Sequence, residues 1–482
     1  MGFVGDCHPT DVDSDKLSSA DARPNFDLLS VTNMAPFLRI APQTALDRFR
    51  IAVAAAAACV LMVAAEQSGA EDVRSPGRWS RFRGLGADGS VETAQVPTRW
   101  SDSENLLWKA TLPGRGSSSP VLHGDRIYLT AYSGYGLSVE QPGDRSSLRL
   151  HVLCVSANDG RVLWSTDVDP APEEQPIGKR VAEHGYASPT ACVGDDGVYA
   201  YFGPSGLVAL DHQGKVRWRR SLGTNTKGFG AAASPMLYQD LVIQNASIES
   251  GRLVAMNRSD GEIRWENDDI QAAWTTPTLV RQVESDSGLR DELIINQKGE
   301  VRGLAPETGK RLWNCLGIQD YVVPCVIHDG PVLYCSGGRS NRTLKIRCGG
   351  NGDVSDTHLD WEINRGANVT TPLLHDGHLY WSHDKALALC VRASDGEEMF
   401  RERLPTRSRV YASIVADAKH LFLTTRDEGV VVLQASPGYT EVAVNRLGGP
   451  QETFNATPAI EGGRLYLRSD QALYCVASEK SL

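Results

Sequence analysis

A proline preceded by a small residue opens a short apolar run at regular intervals along this chain. The stretches are SSPVL at Pro120, ASPTA at Pro189, ASPML at Pro235, TTPTL at Pro277, VVPCV at Pro324, TTPLL at Pro372 and ATPAI at Pro458, with YASIV placing Ile414 where the proline is missing. After a first interval of 69 residues, the anchors fall 42 to 48 residues apart. Self-similarity at such a period means a repeat architecture in which each unit buries its apolar face only against its neighbours.

Each anchor is followed by a hairpin signal and a second alternating run, as in HGDRIYLT, HDGPVLYCS, HDGHLYWS and GGRLYLRS. Asp-Gly and Gly-rich pairs between such runs mark tight β-turns, because glycine accepts positive φ cheaply. A third run then enters another turn and ends on an aromatic: LCVSANDGRVLW, LVALDHQGKVRW, LVAMNRSDGEIRW, GLAPETGKRLW and LCVRASDGEEMF. The aromatics are Trp164, Trp218, Trp265, Trp313 and Phe400, with Trp361 closing an irregular fifth unit. Four strands in about 45 residues is the arithmetic of a propeller blade. Eight anchors predict an all-β fold, an eight-bladed β-propeller of four-stranded antiparallel blades. The last unit stops at ALYCVAS without its aromatic strand, whereas NLLWKATL around Trp108 is a spare one near the start. Pairing that N-terminal strand with the C-terminal three closes the ring and removes the exposed edges of an open sheet.

The unit LVALDHQGKVRW, with its relatives LAPETGKRLW and VSANDGRVLW, resembles the tryptophan-docking repeat of the pyrroloquinoline quinone (PQQ)-like propellers, from about Trp79 to Val476. That superfamily includes quinoprotein alcohol dehydrogenases and the BamB-type outer-membrane assembly lipoproteins. Its enzymes, the resemblance implies, hold PQQ with a calcium or related ion against a tryptophan and a disulfide between adjacent cysteines, and use an aspartate base. Here no two cysteines are adjacent, no Cys-x-x-Cys-His haem site occurs, and about 410 mature residues leave little room for pocket-building inserts. No catalytic residue is therefore assigned and no cofactor is predicted. A non-catalytic scaffold of the BamB-like branch is the expected function, with a PQQ- and Ca²⁺-dependent alcohol or sugar dehydrogenase as the alternative.

Repetition also sorts the conspicuous residues. A tryptophan four residues after a turn glycine suggests a ring inserted between neighbouring blades, its indole N–H meeting a carbonyl, so Trp108, Trp164, Trp218, Trp265, Trp313 and Trp361 are expected to be structural. Cys154 and Cys390 occupy the place of Ala255 and Gly303 in other units and read as small residues in a tight strand. His123, His328 and His375 stand in one place before the hairpin turns of three units, a turn-flanking role rather than a metal site.

Blade openings approach the central channel, so the residues three before each anchor are candidates for its mouth. These include Tyr186, Trp274, Tyr321, Tyr411 and Asn455, with Arg115, His184 and Arg409 beside them as polar grips, the aromatic and polar mixture of a concave ligand site for a protein or small-molecule partner. The segments Asp167 to Tyr186 and Ser133 to Ser147 are polar, Pro- or Gly-containing surface loops. A net charge of −10 argues against a nucleic-acid binder. A closed ring is expected to act as a monomer.

The apolar run Ile51 to Ala65 follows Arg39, Arg48 and Arg50 and precedes Ser68-Gly69-Ala70, the order of a secretory signal peptide. Residues 34–70 are read as that signal beginning at Met34, with 1–33 as an extension and 71–482 as the propeller. The expected location is the periplasm or cell envelope. Membrane association would come through an uncleaved signal or lipid on Cys59.

Overall fold

The computed structural model describes residues 79–92, 95–178 and 181–478; the expected extension, signal peptide and Cys59 lie outside them. Eight separate antiparallel sheets follow one another in chain order and form a ring. Blade 1 is Val121–His123, Arg126–Ser133, Arg149–Ser156 and Val162–Val168, innermost strand first. Blades 2 to 7 repeat this order over residues 192–220, 236–267, 278–316, 327–363, 373–403 and 415–445. Blade 8 joins Ala459–Glu461, Arg464–Arg468 and Ala472–Val476 to Leu106–Thr111, whose Trp108 lies opposite Cys475 and Lys109 opposite Tyr474. The expected closure of the ring is thus present. Among the described residues no helix is long and apolar enough to cross a membrane.

The aromatic at the end of each unit faces a fixed place on the third strand. Trp164 opposes Cys154, Trp218 opposes Ala209, Trp265 opposes Ala255, Trp313 opposes Gly303 and Phe400 opposes Cys390, and the register slips directly after each pair. In these five blades the place is small because the ring lies across it, and a Cβ on Gly303 would stand 2.2 Å from Trp313; in blade 5 Trp361 faces Lys345 instead. The bulge that follows adds twist and aims the ring at the next blade.

Five of the six tryptophans then reach their neighbour in the same way. Trp108, Trp164, Trp218, Trp265 and Trp361 donate their indole N–H to the carbonyls of Ala157, His212, Arg258, Pro306 and Ser394 at 2.9 to 3.2 Å. Each acceptor sits in the next blade's turn, two or three residues before its glycine. The glycine is required twice over at Gly261, where φ is +71° and a Cβ would lie 2.7 Å from the Trp218 ring. Trp313 departs from the pattern. Blade 5 lacks that turn, and its segment Gly352–Asp353 instead adds to blade 4 as a short parallel strand beside Trp313 and Asn314. With no neighbouring carbonyl offered, Trp313 donates to the Glu292 carboxylate of its own blade at 2.6 Å, and Glu292 is held in turn by Arg290.

A segment ahead of the first strand crosses the ring. Trp79 and Ser80 accept N–H bonds from Leu122 of blade 1 and Val193 of blade 2, and Gly89 and Val91 bond Ala416 of blade 7. Between them, Arg81 donates to the Pro277 carbonyl of blade 4 at 3.2 Å, and Arg83 to the Pro372 and Ile414 carbonyls of blades 6 and 7 at 2.8 and 3.0 Å. Arg83 is fully buried, and burial lowers its pKa to about 10, so it stays charged at neutral pH. The two arginines thus tie three blades through backbone oxygens, and the segment as a whole bonds five. Replacing Trp218 by alanine is expected to cost about 3–5 kcal/mol, the range for deleting a packed aromatic, in equilibrium chemical unfolding. A loss below about 1 kcal/mol would contradict the inter-blade role.

Candidate functional site

The innermost strand of every blade has one edge unpaired, facing the channel. Two residues before each of these strands stands a hydroxyl or thiol residue, and seven hydrogen bonds link them blade to blade. Ser119 N–H donates to Thr190 Oγ1, Thr190 N–H to Ser234 Oγ and Ser234 N–H to Thr276 Oγ1, at 2.9 to 3.0 Å. Thr276 N–H donates to Cys325 Sγ at 3.3 Å. Cys325, Thr371 and Ser413 continue to Thr371, Ser413 and Thr457 at 3.0 Å. The small residue of the repeat is therefore an acceptor for the preceding blade, and the adjacent proline removes a donor from an edge that has no strand partner. Cysteine fits in blade 5 because sulfur also accepts, weakly.

This collar shows a slip that the proline spacing hides. In blades 1, 3, 4, 6 and 8 the proline follows the collar residue, whereas in blades 2 and 5 it precedes it, as Pro189-Thr190 and Pro324-Cys325. Counting three residues back from proline consequently lands two residues too early in those blades. The true counterparts of Trp274, Tyr411 and Asn455 there are Ser188 and Val323. With that shift, the tier two residues before the collar lines one cavity together with the collar itself, as the two-residue period of extended chain requires.

The cavity has a volume of about 300 Å³. Phe82, from the crossing segment between Arg81 and Arg83, forms part of its lining. The crossing segment bonds the innermost strands three residues beyond the collar, so the channel is a cup with a floor.

Of the candidates, His184, Trp274, Tyr321, Tyr411 and Asn455 line this cup. Trp274 stands edge-on to both Phe229 and Tyr321, with centroids 6.5 Å apart in each pair. Tyr321 still borders the cup beside Val323 and carries Arg339 over its ring. Arg409 sits on the rim, mostly exposed, and donates to Tyr411 Oη at 3.1 Å. Arg115 and Tyr186 do not line the cup. Arg115 pairs with Asp470 at 3.4 Å. Tyr186 is buried against Tyr132 and Tyr135, its hydroxyl donating to the Gln175 carbonyl at 2.9 Å.

The ionisable lining groups are restrained. Burial lowers His184 to about 4, so its imidazole is neutral at physiological pH. Glu183 is ion-paired with Arg426, and Asp384 lies 2.8 Å from the His383 ring, which holds its carboxyl below the usual range. Among the described residues no cluster of three or more His, Cys, Asp or Glu side chains could hold a metal ion.

Beside the cup, the inserted loop that carries Tyr186 buries an acidic pair. Glu174 accepts from Ser205 Oγ at 2.6 Å, and with Glu249 it borders a small void under the loop. Burial pushes both carboxyls up to about 7, the Glu174 charge also raising Glu249, while hydrogen bonds from Ser205 and then Arg145 and Arg219 pull Glu174 down only partly. Both therefore favour the folded state when protonated. Their contribution is full below about pH 4.5 and is lost as pH rises through about 7. Glu249→Gln is expected to weaken the fall in stability between about pH 5 and 8 by on the order of 2 kcal/mol, measured by urea unfolding at each pH. An unchanged pH profile would remove Glu249 from this account.

Comparison with known proteins gives the fold its relatives. The sequence matches the family described as outer membrane protein assembly factor BamB over residues 98–228 and 148–398. A curated relative, the outer membrane protein assembly factor BamB of Alkalilimnicola ehrlichii, is 26% identical over 221 residues, which is 46% of this chain and 48% of the relative. The match thus spans about half of that protein's length. BamB from Moraxella catarrhalis superposes with a TM-score of 0.53 at 12% identity, covering 77% of this chain and 98% of that one. A europium-containing methanol dehydrogenase superposes with a TM-score of 0.56 at 10% identity, covering 84% and 99%. Likeness at such identities speaks for the fold alone.

Proposed function

The chain belongs to the BamB outer membrane assembly factor family, and from that premise we propose that it is an exported, non-catalytic propeller of the cell envelope, a binding or assembly scaffold that takes its partner at the mouth of the central cup. One observation carries this reading: all eight blades contribute side chains to the cup, yet none of its ionisable groups is poised for chemistry. His184 is neutral and desolvated, Glu183 is ion-paired, Asp384 is held by the His383 ring, and Cys325 Sγ accepts a backbone N–H. General acid–base or nucleophilic work needs a free group with a matched pKa beside a second one. The aromatics at the mouth instead offer rigid area for binding.

The dehydrogenase reading requires PQQ, which carries three carboxylates. The charged side chains lining the cup are Glu183 and Asp384, with no lysine or arginine among the lining residues. That donor set does not fit a trianion.

A photo-crosslinking amino acid at Tyr411 is expected to capture an envelope partner, whereas the same probe at the outer-strand position Leu316 captures none. Equal labelling at both sites would remove the mouth as the contact. Titration with PQQ and Ca²⁺ is expected to give neither saturable quinone binding nor dye reduction; stoichiometric binding with turnover would restore the enzyme.

A further inference from the structure

The collar leaves hydrogen-bonding capacity open. From Thr190 to Thr457 each collar hydroxyl accepts one N–H from the preceding blade, which leaves its O–H to be donated and one lone pair to accept. Neighbouring hydroxyls do find protein acceptors: Thr130, Thr275 and Thr370 donate to the carbonyls of Pro189, Asn296 and Ser382. Among the described residues, Thr190, Ser234, Thr276, Thr371 and Ser413 have no such acceptor, although all line the cup. A circle of O–H donors therefore faces one small cavity, whose floor carries the Phe82 ring and whose mouth carries Trp274 and Tyr321.

We propose that this cup is a saccharide site, in which a neutral sugar ring lies across the channel with its oxygens at the collar hydroxyls and its apolar face on Phe82. The inference rests on the reading of the cup as a binding site and adds the class of ligand. A sugar hydroxyl both accepts and donates, so it suits a rim of hydroxyls that can do both. Its C–H faces suit aromatic walls. An anionic ligand meets the Glu183 and Asp384 carboxylates with no lysine or arginine among the lining residues. A cup of about 300 Å³ is at the small end of ligand cavities, the size class of a mono- or disaccharide.

The test is a glycan array followed by calorimetry on the purified protein, using glucose, N-acetylglucosamine, cellobiose and diacetylchitobiose, with glucuronic acid as the anionic counterpart. Binding of a neutral sugar is expected, with glucuronic acid much weaker. Ala232→Trp, which fills the cup from a tier position outside the collar, is expected to abolish binding, and Trp274→Ala to weaken it about tenfold. Should Ala232→Trp not fold, Ser188→Val narrows the cup and is expected to weaken binding by a similar factor. No binding on the array or at up to about 10 mM in calorimetry overturns the inference, as does binding that the cup-filling variant leaves intact or that favours a peptide probe. Captured partner at Tyr411 without any sugar binding sinks the saccharide site alone, whereas PQQ-dependent turnover sinks the scaffold reading beneath it.

Discussion

Closing eight sheets into a ring turns eight strand edges inward, and the N–H groups there must be satisfied where no ninth strand can pair with them. The collar answers this with side chains: one backbone N–H of each of blades 1 to 7 is received by a serine, threonine or cysteine of the next. Blade spacing follows from that bond, because a hydroxyl one atom beyond Cβ reaches only a blade packed close by. The two residues flanking each collar position inherit their roles from it. The proline removes a donor, in blades 4 and 6 also lending a carbonyl to Arg81 or Arg83, and the residue two places before the collar lines the channel.

Further out, the same contact between neighbours is made by an aromatic ring. A small residue beneath the ring, a bulge beside it and a glycine on the blade it touches form one device, and blade 5 shows what happens when a part is missing. Without the turn that carries this glycine, Trp313 still packs in a core shared with blade 5 but donates its N–H to a buried carboxylate, and backbone pairing by Gly352–Asp353 adds a second join between the two blades. Side-chain packing and strand addition thus both join the same two sheets.

The repeat made most of this readable. Proline anchors, Asp-Gly turns and terminal aromatics are local signals, so blade number, strand order and ring closure followed from their spacing. The collar did not, since a proline on either side of a serine or threonine looks alike in sequence while shifting the chain by two residues. That slip placed Tyr186 at the channel in the sequence reading, although it is packed among Tyr132 and Tyr135. The crossing segment was also missed. Arg81 and Arg83 occur outside any repeat, and arginines ordinarily read as solvated charge; only the ring around them supplies the carbonyls that let them be buried.

The joining of Leu106–Thr111 to Ala472–Val476 has a kinetic side. Its partners are separated by more than 350 residues, so the contact is among the most non-local in the fold, and its loop-closure entropy makes it expected to form after the intervening blades. Late contacts absent from the folding transition state act mainly on the unfolding rate. Blade 8 is therefore where the lifetime of the closed ring is set: a chain that loses this clasp folds almost as fast but opens sooner, exposing two sheet edges at once.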